Sequence, residues 1–570
     1  MDEFWLDGDA AGGGDGSQLT PFNSGAQLPH TNGLFADDTT LHFKAGATAA
    51  VAMNTGGAGF RPPSGGSLIV RAYGGGARPV LTFTGRGFVA DGVGSLLDVQ
   101  DVELADAGAA DLTAITSISG GGLTLARCKL SGWFVQIKAG TGAVLIEDNE
   151  LWHYAWNGVK IDAEAAYALC TNGIIRRNTI TAATDDVAGQ DPIVLHDGGI
   201  GLGTGWIVED NEVHAGNPES ESGVDFQQQF RGVIVRGNRV YGASQWGFAQ
   251  GSLFKGGVTR VMNTRSAMLA YYNREKYIGN AVLPGDANVI HGGHCCWVTS
   301  DGANNGLYQL TGSDPRELAA WTGPMVAADL LSLKTLVYQN VLEGHAAGIQ
   351  IQHPGTEIVA NDVRGVTMVY GQTLKLYDMA YGVKIWDNEF EASGGAASTR
   401  ALVRVDALES RIAATTRATI KNTKFRAASN KTGAVFDIAA AADLSYLVTD
   451  HDAYLRPTLG STFATIAGAA KTFAEFKAAN GGSDANSQHI TTAAALIDST
   501  GHLLDGSPLI GAGTTRSGLD GSIPAVDVEG NAVSSPADIG GYRYLSSAAA
   551  AAVAATPRRK RRAPRSAPGS

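Results

Sequence analysis

The sequence has few cysteines, few charges and no long apolar run, and each shortage excludes a class of protein. Four cysteines are too few for a disulfide framework in 570 residues. Only 17% of the residues are charged and 44% are hydrophobic, which excludes a largely disordered chain. No apolar run reaches the roughly 18 residues of a membrane-spanning helix, so we expect no membrane insertion.

The shortages extend to secretion signals and metal ligands. The opening residues, MDEFWLDGDAAGGG, are acidic and contain no apolar signal core, so we expect synthesis in a cytoplasm without that export route. Cys128 is expected to be a small buried residue. The pair Cys295–Cys296 lies near His291 and His294, but the spacing matches no zinc pattern. We predict no metal and no other cofactor.

Charge is distributed unevenly along the chain. Six Lys and Arg residues, and no acid, lie in 557–570, and removing them from the net charge of −12 leaves −18 for the rest. Such an acidic body repels polyanions unless a local basic patch intervenes. The basic tail, Arg558–Arg565, is expected either to dock on other structural proteins of an assembly or to be disordered.

What the sequence has in abundance is a repeated unit. The segment VLIEDNELWHY, from Val144 to Tyr154, recurs with variations along the chain as two short alternating runs joined at a corner. The expected corner residues are Asp101, Cys128, Asn149, Asn178, Asn211, Asn238, Asn340, Asn361, Asn388 and Asn422.

The repeat spacing points to strands rather than helices. Neighbouring corners are 21 to 34 residues apart, apart from one gap after Asn238, while the strand pattern itself does not change. A period of 20 to 50 residues indicates stacked repeats, and alternation of period two indicates short strands. The sequence therefore predicts an all-β, right-handed parallel β-helix, with insertions in its turns and corner Asn residues stacked as a hydrogen-bonded ladder.

Changes in the pattern suggest four parts. We expect an N-terminal cap over 1–60, the β-helix over 61–430 with a lateral insertion at about 255–335, a C-terminal capping module over 431–545, and an Ala-rich and basic tail over 546–570. The capping module is expected to shield the edge of the last coil, since an exposed strand edge promotes aggregation.

Four further motifs carry a family resemblance. The opening FWLDGDAAGGGDGSQLTPF and the run AYGGGARPVLTF, followed by the repeats, resemble the first coils of right-handed parallel β-helix proteins of the pectin-lyase-like superfamily over about residues 3–430. The segments TFAEFKAANGGSDANS and PADIGGYRY resemble the closing module of that superfamily. Within it the chain looks like a phage tailspike, and that resemblance implies a homotrimer.

Outward residues of the strands are the candidates for chemistry. If GVKID, PIVLH, GVDFQ and GIQIQ occupy successive coils, then Asp162, His196 and either Asp225 or Gln227 lie side by side. Carboxylates two rungs apart, at about 9.6 Å, suit an inverting glycosidase. On this hypothesis Asp162 and Asp225 share the acid and base roles while His196 tunes them or binds sugar. The alternative is that these side chains only face water.

A second group of residues would bind a polysaccharide. Aromatic rings stack on the apolar face of sugars, and polar outward side chains bind their hydroxyls, or the rings instead cap the coil against its insertions. The predicted substrate-binding residues are Lys160, Gln227, Gln350, Gln352, Trp152, Tyr154, Trp156 and Trp246.

These features leave three functional hypotheses. The first is a bacteriophage virion protein, tailspike-like or tail-fibre-like, that binds a host surface polysaccharide, and this hypothesis leaves open whether it also depolymerises it. The second is a non-enzymatic capsid-decoration or head-fibre protein of the same architecture. The third is an exported bacterial polysaccharide lyase or glycoside hydrolase. The first predicts location in the virion, and the third predicts an extracellular location.

Overall fold

The computed structural model contains three long sheets of stacked parallel strands. It describes residues 2–53, 59–83, 85–91, 94–106, 113–118, 121–132, 134–138, 143–152, 157–162, 169–182, 191–196, 202–215, 222–226, 230–242, 246–250, 261–262, 265–272, 295–298, 306–309, 334–353, 355–377, 380, 382–406, 417–456, 462–481, 483–491, 496–498 and 501–545. From Ser67 to Ile466, successive strands of these three sheets go to the first, second and third sheet in turn and then return to the first. This strand order makes the chain a parallel β-helix, as the repeats predict.

The first sheet has 14 parallel strands. They are Asp2–Leu6, Thr39–Lys44, Ser67–Tyr73, Leu96–Gln100, Gly122–Ala126, Val144–Glu147, Gly173–Arg176, Ile207–Glu209, Ile234–Arg236, Leu336–Tyr338, Glu357–Val359, Lys384–Trp386, Ala418–Lys421 and Leu447–Asp450.

The second sheet also has 14 parallel strands. They are Val51–Met53, Val80–Phe83, Glu103–Asp106, Lys129–Ser131, Glu150–Trp152, Thr179–Thr181, Glu212–Ala215, Arg239–Gly242, Val341–Glu343, Asp362–Arg364, Glu389–Ala392, Lys424–Ala427, Ala453–Leu455 and Gln488–Ile490.

The third sheet has 13 strands, of which the last pairs antiparallel. They are Phe88–Asp91, Thr113–Ile118, Phe134–Lys138, Val159–Asp162, Ile193–His196, Ser222–Phe226, Trp246–Gln250, Ala347–Ile351, Leu374–Tyr377, Val403–Asp406, Phe436–Ile438, Ala464–Ile466 and Ala469–Lys471.

The remaining elements are short. One small sheet holds Leu169–Thr171, Leu202–Thr204 and Phe230–Arg231. A second, within the predicted lateral insertion, holds Val261–Met262, Cys295–Val298 and Gly306–Gln309. Among the described residues, the helices are the α-helices Arg265–Tyr272 and Phe473–Ala479 and the 3-10 helices Gly25–Gln27 and Ala441–Tyr446. Stacked strands continue on both sides of the expected boundaries at 60 and 430, and 546–570 lies outside the described residues.

Alternation along each strand places its branched side chains inside the coil. Ile146 on the first sheet, Leu151 on the second and Ile161 on the third are at most 1% exposed and belong to one continuous core. Because each coil buries this apolar surface only against its neighbours, the core extends along the whole stack. At the C-terminal end Phe476 stacks on Phe436 with ring centroids 4.9 Å apart, so the helix Phe473–Ala479 covers the core there.

A ladder of asparagine side chains holds the corner between the first and second sheets. Asn211 shows the pattern: its Oδ1 accepts the backbone N–H and the side-chain amide of Asn178, at 3.0 and 2.9 Å, and its own amide donates to Asn238 at 2.9 Å. The same contacts run from Asn149 to Asn388. The predicted ladder is confirmed over these seven residues, which are all at most 2% exposed.

Two expected corner residues lie one position before the ladder. Asp101 and Asn422 have φ of 62° and 52°, the left-handed conformation of the residue that turns the chain between the two strands. The ladder positions there are Val102 and Thr423. The ladder continues past Thr423, whose backbone N–H donates to Asp452 at 2.8 Å. The predictions for Asp101 and Asn422 are therefore wrong, because Asp and Asn suit both corner positions.

The C-terminal residues 501–545, here called the strap, run back along the outside of the same corner. Its apolar residues Leu519, Ile523 and Val528 pack against a cluster that contains Tyr338 and Trp386 of the first sheet. Polar contacts follow the same path. They include Arg516 Nε to Asp387 at 2.6 Å, the Asp520 backbone N–H to Glu357 at 2.7 Å, and the Thr514 backbone N–H to Asn422 at 2.7 Å. The C-terminal segment thus covers the flank of several coils as well as following the last one.

Candidate functional site: two outward faces of the coils

The predicted catalytic residues lie on the third sheet. Val159, Ile161, Ile193 and Leu195 are fully buried, as alternation predicts. Strand pairing sets Asp162 directly beside His196. Asp225 pairs with Val194, which in turn pairs with Lys160.

Of the two arrangements predicted for GVDFQ, the structure therefore puts Asp225 in the row of Lys160, two positions before the row of Asp162 and His196. Strand spacing and rise separate the Cα atoms of Asp162 and Asp225 by about 12 Å.

Burial divides the predicted residues further. Asp225 points away from the core, yet it is only 4% exposed, like its neighbour Val194. Gln352 is also 4% exposed, whereas Lys160 and Gln350 are half-buried. Asp162 and His196 are placed by their backbone pairing alone. Asp225, Val194 and Gln352 are thus closed to solvent, whereas Lys160 and Gln350 are partly open.

The predicted aromatic platform is divided between two sheets. Trp152 ends a strand of the second sheet and is 43% exposed. Trp246 begins a strand of the third sheet and is half-buried, with its ring close to Gly371. Tyr154, Trp156 and Gln227 lie outside the described residues. Trp152 is therefore the predicted sugar-stacking residue that stands on an open surface.

Trp152 belongs to a row of outward side chains that sequence reasoning missed. Pairing on the second sheet aligns Trp152 with Thr181, Thr181 with His214, and His214 with Tyr241. A parallel row two residues earlier contains Glu150, Thr179, Glu212 and Arg239. These eight residues, here called the aromatic face, occupy four successive coils.

The contacts within the aromatic face orient its rings. His214 stacks on Tyr241 with centroids 5.2 Å apart and planes 22° apart. His214 Nε2 lies 2.9 Å from Glu212 Oε1, and Arg78 lies 3.2 Å from Glu150. The His214 and Glu150 side chains remain 42% and 55% exposed. The face therefore combines fixed aromatic surface with carboxylate acceptors in contact with solvent.

The repeats contain a signal that identifies this face. Residues one and three positions after a ladder residue point outward on the second sheet, as Glu150 and Trp152 follow Asn149. The same rule selects Glu212 and His214 after Asn211, and Arg239 and Tyr241 after Asn238. The sequence pattern alone could have assigned these six residues to one surface.

Further along the stack the same row is covered by the strap. Asp362, Glu389 and Lys424 continue the row of Glu150 and Glu212, but each is only 1% exposed. Lys424 Nζ lies 2.7 Å from Glu389, and the Tyr542 hydroxyl donates to Asp362.

Loss of solvent shifts the pKa values of these buried groups. It raises the pKa of Glu389 to about 7 despite the opposing charges of Lys424 and Arg426. It also raises the pKa of Asp362. A polymer reaches these groups only when the strap is displaced, so the open part of the row ends before them.

Within the described ranges, no three His, Cys, Asp or Glu side chains come together as metal ligands. Among these same residues, no helix is long and apolar enough to cross a membrane.

Comparisons with known proteins give structural likenesses only. No protein-family model matches the chain, and no curated protein matches it by sequence. The mannuronan C-5 epimerase AlgE4 A-module of Azotobacter vinelandii is 12% identical, covering 78% of this chain and 99% of its own with a TM-score of 0.32. The pectate lyase Pel9A is 11% identical, covering 96% and 97% with a TM-score of 0.28.

A third solved structure, the GH136 lacto-N-biosidase of Eubacterium ramulus, is 9% identical, covering 86% of this chain and 68% of its own with a TM-score of 0.27. The assignment of this chain as a parallel β-helix rests on its own strand order.

Proposed function

We propose that this protein binds a polysaccharide on its aromatic face. The observation that carries the proposal is the single outward row in which exposed Trp152 is followed, two coils on, by the stacked pair His214 and Tyr241. One face of a pyranose carries mainly C–H bonds and packs on aromatic rings, whereas its hydroxyls donate to carboxylates such as Glu150 and Glu212. A regular solenoid surface suits an extended polymer, because both repeat along one axis.

Binding to purified host capsular polysaccharide and lipopolysaccharide tests the proposal. Trp152→Ala is expected to weaken binding about tenfold, the loss of roughly 1.4 kcal/mol, as measured by calorimetry or glycan-array titration. Tyr370→Ala is the matched control, because Tyr370 is 50% exposed but lies outside the aromatic face. Equal losses in the two variants, or no binding by the wild type, would remove the aromatic face as the binding surface.

Depolymerisation of the bound glycan is the second part of the proposal. It is supported by the adjacency of Asp162 and His196 in strand pairing, with Asp225 on the next strand. New reducing ends without unsaturated-uronate absorbance, lost in Asp162→Asn, would support hydrolysis on the third sheet. Loss of product in Asp225→Asn would identify Asp225 as an acid–base partner. Unchanged product formation would identify it as a buried structural carboxylate. Product formation unaffected by both substitutions would move the chemistry elsewhere, and a folded protein without product would support binding alone.

We propose that the protein works as a homotrimeric, tailspike-like component of a bacteriophage virion. The solenoid fold and the basic segment Arg558–Arg565 beside an acidic body support this setting. Immunogold labelling of purified phage particles tests it, and deletion of 557–570 tests docking through the tail. Labelling of the head would favour a decoration or head-fibre protein. Recovery from bacterial culture medium without particles would favour an exported lyase or hydrolase.

A further inference from the structure

The aromatic face contains a trough between two of its strands. Thr179 and Thr181 form the rung between the strand of Glu150 and Trp152 and the strand of Glu212 and His214. Both threonines are half-buried. Because their side chains are short, the longer side chains on the two neighbouring strands form the two walls of the trough. This trough has a hydroxyl-bearing floor, one aromatic ring on each wall, and one carboxylate beside each ring.

The width of the trough matches a single sugar ring. Its two wall strands are two rungs apart, or about 9.6 Å, and side chains stand roughly perpendicular to a sheet. A ring held between two apolar surfaces needs about 7 to 8 Å, since carbon atoms in contact are about 3.5 to 4.0 Å apart. The trough therefore accepts one ring between Trp152 and His214, and His214 is kept upright by Tyr241 and Glu212.

The charges of the trough restrict the chemistry of that ring. Glu150 and Glu212 accept hydrogen bonds from sugar hydroxyls, but they repel a carboxylate, sulfate or phosphate. The nearby cations lie outside the trough or are paired: Arg78 contacts Glu150 at 3.2 Å, and Arg239 is on the far side of Glu212. Building on the proposed function, we propose that this trough is a subsite for an uncharged sugar unit of the bound polysaccharide.

Filling the trough while leaving its walls in place tests the proposal. Thr181→Phe inserts a ring between Trp152 and His214, whereas Ser131→Phe inserts the same ring in the same outward row on the other side of Trp152. Both positions are half-exposed strand ends on the surface, so we expect the two substitutions to affect folding equally. The probes are neutral oligosaccharides, with hexagalacturonate as the anionic comparison, titrated by calorimetry and Trp fluorescence.

The expected result is neutral-oligosaccharide binding by the wild type, weakened at least about tenfold in Thr181→Phe and unchanged in Ser131→Phe. Glu212→Gln should retain neutral binding better than Glu212→Ala and should reduce discrimination against hexagalacturonate. Binding of hexagalacturonate but of no neutral probe would overturn the subsite while leaving polysaccharide binding intact. Equal neutral binding by Thr181→Phe and the wild type would also overturn it, and a wild type that holds no glycan overturns the proposed function itself.

Discussion

At the scale of single residues, the amide side chain at each corner connects one coil to the next. Asn211 accepts two hydrogen bonds from Asn178, and its own amide donates to the Ile175 carbonyl and to Asn238, at 3.0 and 2.9 Å. All of these groups are buried, so each lost partner leaves a polar atom without water to replace it. Because the ladder uses an amide side chain at these corners, Asn recurs there although the number of residues between successive repeats varies.

We predict that Asn211→Ala destabilises the coils on both sides of it. The substitution leaves two donors of Asn178 unsatisfied, at a cost of about 1–3 kcal/mol. Urea unfolding should show a lower midpoint, and amide exchange should accelerate most in 173–182. Ser131→Ala, on an outward position of the second sheet, is the control and should leave both unchanged. Exchange that rises evenly along the stack would contradict a local role for the ladder.

A second residue-scale prediction concerns Glu389 beneath the strap. Burial raises its pKa from 4.5 to about 7, so the folded state binds a proton more readily than the unfolded state. This contribution to stability is present below pH 4.5 and is lost as pH rises to about 7. Burial also raises the pKa of Asp362 and of Asp387, and contact with Glu529 raises that of His502. These shifts have the same sign.

The measurement is unfolding free energy against pH. Between pH 4.5 and 7 the wild type should lose stability relative to Glu389→Gln, which keeps an acceptor for Lys424 but has no titrating proton. Glu150→Gln, in the exposed part of the same row, should reproduce the wild-type slope. Parallel slopes for the wild type and Glu389→Gln would show that Glu389 does not titrate in this window.

At the scale of elements, the strap determines whether an outward side chain of the second sheet is exposed or buried. The same row of the second sheet is open at Glu150 and Glu212 and buried at Asp362 and Glu389, because residues 501–545 cover only the later coils. Buried charges are tolerated there because they are paired. Arg516 donates to Asp387 and to two carbonyls of the strap, those of Pro524 and Val526.

We predict that Arg516→Ala loosens the strap without unfolding the coils. It leaves Asp387, only 3% exposed, without its cation, and breaking a buried pair costs about 3–5 kcal/mol. Limited proteolysis should cut within 501–545 sooner, while the core fragment persists. Adding Asp387→Asn should restore part of the protection, since the uncompensated charge is then removed. Cutting spread over the whole chain would contradict an independent strap.

At the scale of the whole molecule, stability is the sum of coil-to-coil contacts along one continuous core. The outward faces of the coils that no other segment covers remain available for association with other chains. The first sheet carries half-buried outward aliphatic residues at Leu145, Ile174 and Ile207 before the strap begins to cover it near Ile234.

We predict that the full chain is a homotrimer in solution. Sedimentation equilibrium should give three times the chain mass of 59.0 kDa. Replacing the uncovered aliphatic residue Ile207 by Lys should shift the distribution toward smaller species if the first sheet contributes to the interface. Val369→Lys, 56% exposed but outside this row, should not. A wild-type mass of one chain would contradict the trimer.

The sequence by itself determined the strand pattern of this protein. Period-two alternation with Asn at the corners is local, so it predicts which side of each strand faces the core, and Val159 and Ile193 are inside as expected. Two corners, Asp101 and Asn422, were misassigned by one position because Asp and Asn satisfy either the left-handed turn or the ladder.

Only the tertiary structure decided which outward residues meet and which of them are open to a ligand. Coils of different length bring Glu150, Thr179 and Glu212 onto neighbouring strands, and strand pairing, not sequence spacing, sets that register. Burial of Asp362 likewise depends on a segment far away in the sequence, which includes Tyr542. Local periodicity predicts which side chains point outward, but their exposure depends on which other segments pack on that surface.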